Sequence, residues 1–103
     1  MDYIIDVSSI NNRLKVLQTI KKYNDEEDDE LIYIYYAKLK KNNRLMMILF
    51  GNGGERNLTF DYFEKFRIEP FNIYNVDDFE TSEELMIKDI DYEIEQVKIL
   101  LKI

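Results

Sequence analysis

The sequence contains no cysteine, no histidine and no tryptophan, only one proline and three glycines, and a single alanine, Ala37. Without cysteine there is no disulfide framework, thiolate zinc site, Fe–S cluster or thiol nucleophile. Without histidine the commonest general base and metal ligand are missing. No apolar run approaches the roughly 18 residues that span a bilayer, which excludes an ordinary membrane-spanning helix. The first residues, Met1-Asp2-Tyr3-Ile4-Ile5-Asp6, lack the basic start and long apolar stretch of a signal peptide, so a cytoplasmic location is expected.

What is present is a short, globular composition. At 103 residues the chain makes one domain, because two halves would each be too small to bury a useful core. Hydrophobic residues make up 46% and charged residues 34%, which separates it from a disordered chain. Ile, Lys, Asn and Tyr together supply 41 of the residues. Their codons are AT-rich, which fits a low-GC bacterium, a phage or an archaeal virus as the source.

The net charge is −7, and it is segregated along the chain. Residues 1–24 hold four cations against two acids, while residues 25–37 hold six acids and no cation. Residues 38–67 hold seven cations against three acids, and residues 68–103 three against ten. An acidic balance disfavours phosphate backbones and anionic membranes, where each contact wants a cation. It favours a basic protein partner, with no direct nucleic acid and no membrane.

Along the chain, Tyr3 to Val7 reads as a strand. Ser8 and Ser9 offer an N-cap. Ile10, Leu14, Leu17 and Ile20, widened by Val16 and Tyr23, form the apolar stripe of an amphipathic helix. Asp25-Glu26-Glu27-Asp28-Asp29-Glu30 reads as a solvated loop, since six adjacent carboxylates cannot be buried unpaired. Leu31–Leu39 and Arg44–Phe50 read as a β-hairpin joined by Lys40-Lys41-Asn42-Asn43, because Asn tolerates the left-handed backbone of tight turns. Gly51-Asn52-Gly53-Gly54 is a loop. Thr59–Arg67 reads as a helix, although Leu58, Phe60 and Tyr62 also alternate as a strand would. Pro70 is expected to stop it, with a fourth strand over Phe71–Val76. Thr81 and Glu84 fit a capping box that opens a helix over 82–103, with Ile87, Ile90, Ile94, Val97 and Leu101 on one stripe. Against this, Ile90 to Glu95 alternates as a strand does.

The expected fold is therefore α+β: a ferredoxin-like β-α-β-β-α-β antiparallel sheet with an added C-terminal helix. The strands at 31–37 and 45–50 are apolar on both sides, so both sheet faces need cover. Two helices would cover one face. The C-terminal helix, a second copy of the chain or a partner would cover the other. Tyr33, Tyr35 and the second helical stripe, Tyr92, Ile99 and Ile103, are the expected surfaces of a homodimer.

Chemistry-bearing patterns are few. The acidic run lacks the glycine bend of a calcium loop, and no metal site or cofactor is expected. The Gly51–Gly54 loop has no Gly-Lys-Ser/Thr after it and no dinucleotide fingerprint. The strand aromatics lack the basic motif of RNA-binding sheets and fit core filling better. Ser8, Ser9 and Ser82 have no histidine to activate them, so no catalytic residue is assigned. A Mg²⁺-dependent nuclease built on carboxylates around Glu64 and Glu69 is the weakest alternative.

The expectation that remains is a small interaction protein rather than an enzyme. Two acidic clusters, Asp25–Glu30 and Asp77, Asp78, Glu80, Glu83 and Glu84, would meet a basic nucleic-acid-processing partner. They would block it by charge mimicry or steric hindrance, as a phage- or virus-encoded, anti-CRISPR-like inhibitor would. For one surface to act in that way, folding must bring the two clusters together. The alternative is a homo-oligomeric structural domain whose acids only keep it dissolved.

Overall fold

The structure, a computed structural model, describes residues 3–26, 32–51, 63, 65–70, 73–80 and 90–103, with the backbone alone at 32, 33, 50, 51, 70 and 76. In chain order these form β1 (Tyr3–Asp6), α1 (Ile10–Glu26), β2 (Ile32–Leu39), β3 (Leu45–Gly51), β4 (Ile68–Pro70), a 3-10 turn (Val76–Asp78), β5 (Phe79–Glu80) and α2 (Ile90–Leu101). The class is α+β. The five strands make one antiparallel sheet in the order β4-β1-β3-β2-β5. Among the described residues no helix is long and apolar enough to cross a membrane.

The expected hairpin forms, with Lys38 opposite Leu45 and Tyr35 opposite Ile48. Its turn places Asn43 at φ 61°, the left-handed region that asparagine tolerates better than most residues. The Asn43 amide donates to the Leu39 carbonyl at 2.8 Å, and the Arg44 amide donates to Asn42 Oδ1 at 3.1 Å. Helix α1 starts at the expected serine: Ser9 accepts through its carbonyl from the Arg13 amide at 2.9 Å, and through Oγ from the Asn12 amide at 3.4 Å.

Side-chain alternation sorts the strands into two faces. On one face Ile5, Val7, Ile34, Tyr36, Met47 and Leu49 pack with Leu14, Val16, Leu17, Ile20 and Tyr23 of α1 and with Ile94 and Val97 of α2. Phe63 and Phe66 join this cluster, their rings 6.1 Å apart. Burying side chains of this size is worth roughly 1.5–3 kcal/mol each, so this layer dominates the folding energy. On the other face Ile4, Ala37, Leu39, Met46, Ile48 and Phe79 form a smaller cluster, with Tyr35 and Tyr74 packed against it.

Four expectations require correction. Asp25 and Glu26 are the last turn of α1, not loop; Tyr23 is buried there and Lys21 lies 3.8 Å from Asp25 one turn back, which carries the helix further. The fourth strand is Ile68–Pro70 rather than Phe71–Val76. Pro70 ends it instead of preceding it, because an edge strand tolerates a residue with no amide donor. A fifth strand, Phe79–Glu80, pairs with the outer edge of β2. Finally, α2 does not cover the second face. Ile94 and Val97 carry it into the α1 layer, and Lys21 of α1 reaches Asp91 of α2 at 2.6 Å. On the second face, Phe79 and Tyr74 lie over the strands with rings 5.7 Å apart, so Met46 and Ile48 are buried and no bare plate is left at these positions. The helix expected over 59–67 lies outside the described residues except for the Phe63–Phe66 turn, whose Phe66 amide donates to the Phe63 carbonyl at 2.9 Å. The capping box at Thr81 and Glu84 also lies outside them.

Candidate interaction surface

Helix α2 has two unlike sides. Ile94 and Val97 are buried and Ile90 and Leu101 are half-buried, so the stripe that faces α1 and the sheet is satisfied. About half a turn round the helix, Tyr92 and Ile99 are 61% and 63% exposed, and Leu100 and Ile103 beside them are 65% and 75% exposed. Four large apolar side chains on one short helix surface are a patch and not scattered exceptions. Asp91 and Glu95 flank the stripe toward the helix start, and Lys98 and Lys102 flank it toward the end. The helix finishes with Lys102 at φ 61°; its amide donates to the Ile99 carbonyl and the Ile103 amide to the Lys98 carbonyl, both at 3.1 Å. These two bonds satisfy two carbonyls of the last turn, those of Lys98 and Ile99.

Of the expected dimer residues, Tyr92, Ile99 and Ile103 thus share one exposed surface. Tyr35 is half-buried against the second-face cluster, on the opposite side of the sheet from α2. The Tyr33 side chain lies outside the described residues. Leu100 belongs to the exposed surface and was not expected; it sits between the two stripes that spacing separates.

The acidic residues are dispersed. Helix α1 starts beside Asp6 and runs 17 residues, or about 25 Å, back along the sheet, which carries Asp25 and Glu26 to the end away from the hairpin. Asp77, Asp78 and Glu80 lie at the hairpin end, where the Lys40 amide donates to the Asp78 carbonyl at 2.9 Å. Several are already engaged. Asp78 Oδ2 accepts from the Asn75 amide at 2.8 Å, Glu80 stands opposite Lys38 across the strand pair, and Asp25 lies near Lys21. Glu27, Asp28, Asp29, Glu30, Glu83 and Glu84 lie outside the described residues. Among the described residues no group of three or more potential metal ligands clusters.

A cleft of about 420 Å³ opens at the hairpin end of the second face, floored by Ile4, Leu39 and Met46. Its polar groups serve one another. Arg44 Nε donates to Asp6 Oδ2, and Ser8 donates to Asp6 Oδ1 from its hydroxyl at 2.6 Å and its amide at 2.9 Å. Partial burial pushes the Asp6 carboxyl up, but these hydrogen bonds and the Arg44 charge outweigh it and hold the group below the ordinary 3.8. Tyr74 donates to Glu69 Oε2 at 2.5 Å; that hydrogen bond, with burial and the Glu69 charge behind it, pushes the phenol up to about 12. Sequence reasoning had no signal for this cleft, which joins residues from four separated stretches.

A scan against protein-family models matches no family, and comparison with curated proteins and with solved structures gives no significant match.

Proposed function

We propose that this chain is a protein-interaction domain that works by docking and not by catalysis. The observation that carries this reading is the outer surface of α2, where Tyr92, Ile99, Leu100 and Ile103 stay more than half exposed although α2 is firmly seated through its other side. A domain with a net charge of −7 has no need of such a patch for solubility, and leaving it in water is unfavourable. The absence of cysteine and histidine from the chain supports a binding role over nucleophilic or acid–base chemistry.

Within this reading, inhibition of a basic nucleic-acid-processing protein is the version that the charge balance favours. The exposed acids nearest one another in that version are Asp77, Asp78 and Glu80 at the hairpin end; the opposite placement of Asp25 and Glu26 supports contact at one end over mimicry by both clusters together. The strand order supports a ferredoxin-like plan with an extra edge strand. β1, α1 and β2 are a split β-α-β unit, with β3 between two parallel strands and β4 on the far side of β1.

The test is affinity capture of host proteins by the wild type, by Ile99→Lys and by the pair Asp77→Lys with Asp78→Lys. Docking through α2 predicts that Ile99→Lys loses the captured partner while its thermal melt is unchanged. Loss on the acid reversal, with binding that weakens steeply in salt, supports the charge-led version. An identical captured set from all three proteins, with self-association also unchanged by Ile99→Lys, contradicts the proposal.

A further inference from the structure

We infer that the occupant of the α2 outer surface is a second copy of this chain, with the two α2 helices antiparallel across a two-fold axis. This rests on the docking role proposed for α2 and names its partner. The ground for it is the order of charges along the rim of the stripe. Reading from the helix start, it runs Asp91, Glu95, Lys98, Lys102: two acids, then two bases.

In a two-fold interface, if one residue meets a second, the second meets the first. Set the axis between positions 96 and 97. Glu95 then stands opposite the partner's Lys98, and Asp91 opposite the partner's Lys102. The same axis places Tyr92 between the partner's Ile99 and the partner's Ile103, which lie one turn apart. One choice of axis satisfies both the charged rim and the apolar stripe. A parallel pairing puts the two charged rims on opposite sides of the interface, where they do not meet. The antiparallel arrangement also opposes the two helix dipoles head to tail.

Asp91 already holds Lys21, which also lies near Asp25, so in the dimer the partner's Lys102 joins an existing charge cluster rather than forming a new isolated pair. Each copy carries −7, but repulsion between whole chains is screened beyond about 8 Å at physiological salt, whereas the rim pairs are in contact. A pair of 12-residue helices crossing once buries less than the roughly 1,200 Å² of a standard interface. The dimer is therefore of the reversible, weak class.

Sedimentation equilibrium of the purified protein, with Glu95→Lys, Lys98→Glu and the double swap, tests this. Both positions lie on the rim of α2 and outside its buried stripe, Glu95 exposed and Lys98 half-buried, and a thermal melt confirms the monomer fold of each variant. The wild type is expected to pass from monomer to dimer with rising concentration. Each single swap acts twice through the symmetry and should weaken dimerisation by about tenfold. The double swap restores the opposite charges across the axis and should return the affinity to near wild type. A wild type that stays monomeric at high micromolar concentration overturns the inference. So does a dimer that ignores the single swaps or is not rescued by the double. If the wild type is monomeric while Ile99→Lys still abolishes capture of a host protein, the docking role stands and a second copy as its partner falls.

Discussion

The two faces of the sheet reach stability by different means. On the helix-covered face a layer of Ile, Val, Leu, Met and aromatic side chains is sealed by α1 and α2, and the nearby acid Glu93 is pushed above its ordinary value by burial, with Arg13 opposing. On the other face a smaller apolar cluster ends in a polar cleft, where the acid Asp6 is held below its ordinary value by Arg44 and Ser8. One face thus supplies most of the folding energy, while the other tolerates a wet, charged end because its ionic groups are matched.

The largest expected difference between the faces is in core substitutions. Leu17→Ala, in the fully buried helix layer, should cost about 3 kcal/mol by urea unfolding, and Ile48→Ala, buried in the smaller cluster of the second face, about 2 kcal/mol. Equal costs would show that the second face is as well packed as the first.

Next come the two acids, which should act with opposite sign. Asp6 is depressed in the folded state, so its contribution is present above the ordinary 3.8 and is lost as pH falls through the lower folded value. Asp6→Asn should lower stability at neutral pH by less than about 1 kcal/mol, since the pair is partly exposed, and should flatten the acid limb. Glu93 is raised, so the folded state favours its protonated form; stability is greatest below the ordinary 4.5 and falls as pH rises through the folded value. Glu93→Gln should therefore raise stability at neutral pH by a few tenths of a kcal/mol. Urea titrations from pH 3 to pH 7 check both, and shifts of the same sign would break the comparison.

The smallest effect is at the tip of α2. Lys102 holds a left-handed backbone that costs a residue with a Cβ about 1 kcal/mol, so Lys102→Gly should gain a few tenths to 1 kcal/mol in a thermal melt. In the α2 pairing it also removes one rim cation and should weaken self-association, which separates tip strain from interface charge.

The residues that were legible in the sequence are those whose fate is set locally. Ser9 caps α1, the spacing of Leu14, Leu17 and Ile20 marks its buried side, and Asn43 closes the hairpin. The second stripe of the C-terminal helix was legible for the same reason: spacing puts Tyr92 and Ile99 on one side whatever they meet. What misled was context. Pro70 reads as a stop for a helix, yet an edge strand accommodates it. Phe79-Glu80 is too short to show any period, so β5 and the cover it brings to the second face carry no local pattern. The acidic clusters are alike in sequence, but α1 and β2 put their described members at opposite ends of the sheet, and only the chain path decides that.

The pairing of α2 with itself has a direct probe because the chain lacks cysteine. Gln96 lies almost on the proposed axis, so Gln96→Cys brings one thiol near its own copy, and a cysteine at Lys40, at the hairpin end, does not. Under mild oxidation of the folded protein, Gln96→Cys is predicted to form a disulfide-linked dimer much faster than Lys40→Cys, and added Lys98→Glu should slow it. Equal rates for the two cysteines, unaffected by the charge change, would contradict the account.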